Sequence, residues 1–278
     1  PPPRPGFFFQ QTTAYARPLR LVGSEMCIRD RGHDVQKRSL AGSIAVKRIP
    51  HAQLFEGTDG NGLLKVALAY ANTVVCGDNP SEASIRKALR MVHPDIHFVF
   101  PTAVTSGTKT KPTSNDFLNK WRGFVSEQPF GSLYNWMRYL EAENKQGIIS
   151  VNDALSVIEK VRFKSFEGGW KCVIIWHAEK LTLAASNKLL KSIEEPPAKT
   201  LFILLCPNAY KLIATIRSRC QRTHFGGVEP SLIAQLLEKK GVAKTLSAAV
   251  ASQSKGNVGK ALDLVDQQNL CLLQLFRF

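Results

Sequence analysis

Short apolar runs alternate with amphipathic stretches along the chain from residue 32 onward. Apolar runs bounded by turn residues are typical of buried parallel strands, whereas apolar residues recurring every three or four positions indicate helices. We predict strands over 52–55, 171–175 and 200–205, and another in the apolar run after Pro94. We predict helices over 34–46, 63–71, 81–92, 152–162 and 184–194. This alternation predicts a three-layer α/β domain with a parallel sheet.

Composition narrows the class of protein. With 278 residues, of which 44% are hydrophobic, the chain is long enough for one large or two modest domains. A net charge of +15, from 37 basic and 22 acidic residues, favours a polyanion partner such as nucleic acid, although the charge can also simply be solvated. Six cysteines without a CxxC pair suit buried thiols in a reducing compartment, and no apolar stretch approaches the roughly 20 residues that span a bilayer. We therefore expect a cytoplasmic protein without a membrane partner.

Residues 1–31 differ from the rest of the chain. They begin with a Pro-rich segment and sustain neither helical nor strand periodicity. The string over 22–31 resembles translated adapter sequence, so we leave residues 1–31 out of the fold. A natural disordered tail is the alternative.

A glycine-rich turn, 57–62, follows the first predicted strand and precedes a helix. This is the order of a phosphate-binding loop, whose pattern GxxxxGK[ST] supplies a lysine for the β/γ-phosphates and a hydroxyl for magnesium. Gly57 and Gly62 keep the spacing, with Gly60 between them, but Leu63 and Leu64 occupy the two chemical positions. The neighbouring Lys65 lies two residues farther along the helix, a rotation of roughly 200°. We predict a loop that keeps its shape without a functional cofactor site. Weak binding of an anion by its backbone amides stays an alternative.

The strand over 171–175 lacks the acids of a nucleotide hydrolase. Such a strand ends in Asp-Glu, which position magnesium and polarise water, whereas this one is followed by Trp176 and His177. A neutral imidazole is no hard oxygen ligand, and Glu179 comes too late to take the place of the aspartate. His177 could serve as a general base, but without a lysine that binds the phosphate it would have no substrate to act on. We therefore expect no autonomous catalysis.

Two other groups of residues were weighed as sites. Cys76, His93, Asp95 and His97 fit no zinc spacing, and we expect an ordinary strand there with its polar residues facing outward and no metal. The aromatic residues between 117 and 139 lie among charges and either stack on nucleobases or pack helices onto a core, and packing is the commoner outcome.

Several strings resemble the bacterial DNA polymerase III clamp-loader subunits of the AAA+ class. The resemblance runs from about residue 32 to 264. Within the family, the altered loop and the strand without its acids are similar to the delta-prime type, and the passages 92–95 and 175–176 resemble versions from Bacteroidetes-like bacteria. The matching strings lie at 51–55, 166–168, 173–175, 185–191, 194–197, 200–204 and 218–221.

The resemblance implies an architecture and a role. It implies an AAA+ domain with a degenerate phosphate loop over 32–226, a helical lid over 227–266 and the truncated start of a collar domain over 267–278. The family forms a pentameric loader that closes a ring-shaped sliding clamp around primed DNA, so the implied partners are gamma/tau-type and delta-type subunits, the clamp and the DNA. Arg219, in the motif 218–220, is similar to the arginine finger that contacts ATP on an adjacent subunit. The sensor-two arginine of active relatives falls on Gly259.

Three alternatives stay open from the sequence. One alternative is an active ATPase that resembles the gamma/tau subunits and in which Lys65 or Lys171 replaces the missing lysine. A third interpretation is a free-standing nucleic-acid-binding module that acts through charge alone. For Arg219 itself, the alternative to a finger is a surface arginine that caps a helix.

Overall fold

A computed structural model describes residues 32–105 and 110–275, with side chains described as far as residue 267. The prediction for residues 1–31 lies outside this part of the chain. The strands are β1 (Ala52–Glu56), β2 (Ile96–Val99), β3 (Lys171–Trp176), β4 (Thr200–Cys206) and β5 (Gln221–His224). The α-helices are α1 (Asp34–Ala45), α2 (Leu63–Cys76), α3 (Glu82–Leu89), α4 (Leu118–Glu127), α5 (Leu133–Tyr139), α6 (Val151–Arg162), α7 (Leu183–Glu194), α8 (Ala214–Arg217), α9 (Pro230–Lys239), α10 (Lys244–Gln253) and α11 (Val258–Leu275).

The strands form one sheet, in which every pairing is parallel. Its order is β2-β3-β4-β1-β5, so β1 lies between β4 and β5. This confirms the predicted α/β class with a parallel sheet. Strand β5 was not predicted, since it forms no apolar run and lies largely exposed at an edge of the sheet; its residues are Gln221, Arg222, Thr223 and His224.

Successive residues of the central strands face two different cores. Phe55 and Phe98 point into a cluster formed with α2, α4 and α5, whereas their neighbours Leu54 and Val99 point into a second cluster formed with α6 and α7. Side chains of a strand alternate between its two faces, so a strand with helices on both sides is apolar throughout. His97 departs from the expected outward position: it is only partly exposed, and burial, reinforced by the positive charge of Lys160, lowers its pKa to about 4.

The aromatic segment between 117 and 139 belongs mainly to the core. Trp121, Phe124 and Trp136 are almost fully buried, and the Trp121 ring stacks on Phe100 with centroids 4.3 Å apart. The packing interpretation is confirmed for these residues, and they cannot stack on nucleobases. Tyr134 is the exception, because 62% of it is exposed.

The last three helices pack on one another around a core of their own. That cluster extends from Val228 to Val265 and includes Ile233, Leu237 and Val250. Pro230 starts α9, where its missing N–H costs no helical hydrogen bond. Helix α11 continues without a break past residue 266, and the domain boundaries at 226 and 266 stay predictions.

Side-chain caps explain where the helices beside the sheet begin. Ser150 and Asp153 form a capping box at the start of α6, and Thr182 accepts a hydrogen bond from the backbone N–H of Ala185 at the start of α7. Helix α3 is shorter than predicted, because Met91 takes a positive φ of 54° and the chain turns before Pro94.

Candidate functional site

The loop between β1 and α2 lies where the carboxyl ends of the parallel strands meet, the edge at which open α/β sheets bind ligands. The carboxyl ends of β3 and β4 border the same crevice through Trp176, His177 and Pro207. Gly62 ends the loop with a φ of +86°, directly before the first residue of α2. The predicted strand, loop and helix are therefore in place, and the chemistry of the crevice depends on what lines it.

Asp59 places a carboxylate inside this loop. One of its oxygens lies 3.1 Å from Nε2 of His177, and the other accepts a hydrogen bond of 3.2 Å from the backbone N–H of Leu133. Although burial opposes it, the contacts with His177 hold the pKa of Asp59 below its usual value. The loop thus carries a negative charge of its own, on the Asp59 carboxylate.

His177 lies between two carboxylates. Its Nδ1 is 2.7 Å from Oε1 of Glu179, its Nε2 contacts Asp59, and only 3% of its side chain is exposed. Burial alone would lower the pKa of His177, but the hydrogen bonds and charges of Asp59 and Glu179 outweigh it and raise the pKa to about 9. The expectation of a neutral imidazole is therefore wrong, because the sequence analysis did not place Asp59 opposite this ring.

The start of α11 and the residue before it contact the loop directly. The amide of Asn257 donates a 2.6 Å hydrogen bond to the carbonyl of Asp59, and the backbone N–H of Gly259 donates one of 3.1 Å to the carbonyl of Gly60. A Cβ on Gly60 would lie 2.2 Å from Oδ1 of Asn257, and a Cβ on Gly259 would lie 2.5 Å from the carbonyl oxygen of Phe130. Gly259, the predicted sensor-two position, thus lies against the loop as backbone, with no room for a side chain.

Leu63 and Leu64 are both buried, and their side chains pack into the core beside α2. The nearby Lys65 lies with its ammonium 4.5 Å from the centre of the Phe130 ring. The space left between the loop, Phe130 and the residues after β3 is about 20 Å³, on the order of one water molecule.

Lys171, the other lysine considered for phosphate binding, lies at the start of β3, at the opposite end of that strand from His177. Its ammonium donates hydrogen bonds to the carbonyls of Val161 and Phe163. Burial lowers the pKa of this lysine. Its place in the fold keeps it away from the glycine loop.

Arg219 lies in the turn between α8 and β5. Its Nε is 3.1 Å from Oε2 of Glu194 and its Nη2 is 3.3 Å from Oε1 of the same carboxylate, while Nη1 donates 2.9 Å to the carbonyl of Thr215. The side chain is 34% exposed, so solvent and a partner can reach it. The contact with Thr215 also fits the alternative that Arg219 caps α8. Cys220 beside it is partly buried, and burial raises the pKa of its thiol to about 12.

Two further arginines lie near this turn. The guanidinium groups of Arg217 and Arg222 approach the Tyr210 ring to 4.8 and 5.4 Å from its centre. Arg222 also pairs with Glu56 at the end of β1, with Nε 2.7 Å from the carboxylate. The sequence analysis missed these contacts, which depend on β5 lying beside β1.

The other polar groups weighed as a metal site are used structurally. The Asp95 carboxylate accepts hydrogen bonds from the backbone N–H groups of Phe166 and Glu167, and His93 lies 3.2 Å from the Glu167 carboxylate. Within residues 32–105 and 110–275, no cluster of His, Cys, Asp and Glu has the arrangement that would hold a metal ion. In the same part of the chain, no helix combines the length and apolar character needed to cross a bilayer.

The parallel sheet, the glycine loop after β1 and the helical part that follows define an α/β protein of the AAA+ class. A point mutant of RuvB from Thermotoga maritima is similar in structure, with a TM-score of 0.52 and 12% identity, covering 91% of this chain and 68% of that one. At this identity the likeness concerns the fold alone.

The family is decided by sequence. The model of the family "DNA polymerase III, delta subunit" matches residues 32–229, and the chain belongs to this family. DNA polymerase III subunit delta' of Bacillus subtilis is 30% identical over 231 residues, covering 81% of this chain and 56% of that protein. Subunit tau of the same organism is 25% identical over 242 residues, covering 85% and 36%. The chain is thus similar to delta' subunits of DNA polymerase III, and it spans little more than half the length of the delta' relative.

Proposed function

We propose that the chain is a non-hydrolysing subunit of a DNA polymerase III clamp loader, and that it supplies Arg219 to ATP held by a neighbouring gamma/tau-type subunit. Delta-type subunits, the sliding clamp and primed DNA are the further partners of such a complex. The observation that carries the proposal is the chemistry of the glycine loop. Leu63 and Leu64, packed into the core, stand where an ATPase needs a lysine and a hydroxyl, and Asp59, paired with His177, adds a carboxylate to the loop.

The charge of the loop supports a site that holds no ATP. The space enclosed beside Asp59 and His177 is about 20 Å³, whereas Asn61 and Gly62 also line a much wider cleft toward α9 and α11. A triphosphate would also meet the Asp59 carboxylate, with Leu63 at the position of the lysine of active loops, and like charges at contact distance repel strongly in a partly buried site. The degenerate loop, Gly57, Gly60, Gly62, Leu63 and Leu64, therefore serves as a structural turn in this proposal, with no cofactor.

Exposure and chemistry support Arg219 as the residue that acts on a neighbour. A guanidinium is always charged and presents N–H donors in a planar fork that matches phosphate oxygens. In phosphoryl transfer, such a cation stabilises the charge that develops in the transition state, which is worth about 10³–10⁵ in rate in other systems. Arg219 lies in an exposed turn at the β5 edge of the sheet, where an adjacent subunit can approach.

The experiment combines the chain with a gamma/tau-type ATPase, a delta-type subunit, the clamp and primed DNA. We expect Arg219→Ala to lower stimulated ATP turnover by at least tenfold without preventing assembly. The matched control is Arg86→Ala, which also removes an exposed arginine that pairs with a glutamate, Glu82, but on helix α3. Equal turnover with Arg219→Ala, Arg86→Ala and the unaltered chain would refute the finger assignment.

The second candidate is an active gamma/tau-like ATPase, which the similarity to subunit tau favours. It requires a phosphate-binding lysine, and the positions of Lys65 on the Phe130 ring and Lys171 on backbone carbonyls speak against both substitutes. Calorimetric titration of the isolated chain with Mg·ATP separates the two functions. Magnesium-dependent binding below 1 μM, on the order of affinity of a working site, would favour the ATPase.

DNA binding through charge remains a third and less specific proposal. It rests on the net charge of +15. It predicts DNA binding by the isolated chain that weakens steeply with salt and that Arg219→Ala leaves nearly unchanged.

A further inference from the structure

Arg219 and Glu194 meet side by side. The carboxylate spans Nε and Nη2 of the guanidinium at 3.1 and 3.3 Å, while the carbonyl of Thr215 accepts from Nη1 at 2.9 Å. The arginine is therefore held along one edge by an acid and at one terminal nitrogen by a backbone carbonyl of the preceding helix, α8.

The contacts leave part of the guanidinium available. An arginine has five N–H donors, of which Nε carries one and each terminal nitrogen two. Nη2 donates to Glu194 and Nη1 to Thr215, while Nε lies against the second oxygen of Glu194, so within the described residues one N–H on Nη1 and one on Nη2 have no partner. Two N–H groups on adjacent terminal nitrogens are the donors that bind two oxygens of one phosphate.

The position of Glu194 in the chain is informative. It is the last residue of α7, where the helix dipole disfavours a carboxylate. The positive charge of Arg219 compensates that carboxylate. Both side chains are substantially exposed, at 34% for Arg219 and 51% for Glu194, so the pair contributes little to the stability of the isolated chain.

Resting on the proposed function, we propose that Glu194 is the positioning residue of Arg219: it orders the guanidinium along one edge, so that the two remaining N–H groups are available for a phosphate held by the adjacent subunit. A long, flexible side chain that is already ordered loses less entropy when it binds. The acid then acts through the arginine and does not contact the nucleotide.

The test uses the assembled complex with primed DNA and compares Glu194→Gln with Glu195→Gln, which removes an adjacent acid. We expect Glu194→Gln to lower the stimulated kcat by about threefold to tenfold, the cost of ordering one long side chain, and to leave KM for ATP and assembly unchanged. Glu195→Gln should match the unaltered chain. In an Arg219→Ala background, Glu194→Gln should have no further effect.

The outcomes separate this inference from the function on which it rests. If Arg219→Ala lowers turnover but Glu194→Gln does not, or raises it, the positioning role is wrong while the finger stands. A loss with Glu194→Gln that persists in the Arg219→Ala background would show that Glu194 acts through another group, and would also overturn the inference. If Arg219→Ala has no effect, the finger and its positioning residue are both wrong.

Discussion

The buried contact of His177 with Asp59 and Glu179 makes a quantitative prediction about pH. The pKa of His177 is about 9 in the folded chain, compared with 6.5 in its ordinary state. One pKa unit corresponds to about 1.4 kcal/mol, so this difference amounts to roughly 3 kcal/mol of folding free energy. Because the folded pKa is raised, the contribution is complete below pH 6.5 and is lost as the pH rises from 6.5 through 9.

The perturbation is His177→Gln, which removes the positive charge between the buried Glu179 carboxylate and the partly exposed Asp59 carboxylate. We expect the variant to be less stable by roughly 3 kcal/mol at pH 6, in line with the 3–5 kcal/mol typical of breaking a buried ion pair. The difference between the two proteins should shrink toward zero by about pH 9.5. Urea unfolding, followed by tryptophan fluorescence at half-unit pH steps, measures both curves.

The difference between the curves isolates His177. Burial raises the pKa of Cys206 and Cys220 to about 12, which destabilises the folded chain at alkaline pH, but it does so equally in both proteins. His97 has the opposite sign, since its pKa of about 4 destabilises the fold only below pH 6.5. A constant difference between pH 6 and 9.5 would refute the protonated imidazole and the charge pairing inferred from it.

Two further predictions concern the lid contact and the thiols. Gly60→Ala places a Cβ at 2.2 Å from Asn257 at a φ of +81°, whereas Gly241→Ala has a similar φ of +88° and nothing within 4 Å. Gly60→Ala should therefore be less stable than Gly241→Ala by at least about 1 kcal/mol and should increase hydrogen exchange in α11; equal stability would argue against the contact of lid and loop. Cys206 and Cys220, with pKa values of about 12, should react with iodoacetamide at pH 7.5 roughly 10³-fold more slowly in the folded than in the urea-unfolded chain, as followed by mass spectrometry, and equal rates would contradict their burial.

The central strands, the sheet class and most of the helices could be predicted because they depend on local patterns. Strands β3 and β4 are apolar throughout, since helices cover both faces of the sheet, and this leaves a continuous signal in the sequence. Strand β5 could not be found in this way, because an exposed edge strand needs no apolar run.

The chain by itself also determined which chemical groups stand in the glycine loop: two leucines at the positions of a lysine and a hydroxyl are visible without any structure. Only the tertiary structure decided which side chains surround the loop that lacks these groups. Asp59, His177 and Asn257 come from the loop after β1, the residue after β3 and the turn before α11, and they meet only in the folded chain, where the ends of β1 and β3 lie at one edge of the sheet. Likewise, the motif singled out Arg219, but only the packing of α7 against α8 placed the Glu194 carboxylate beside its guanidinium.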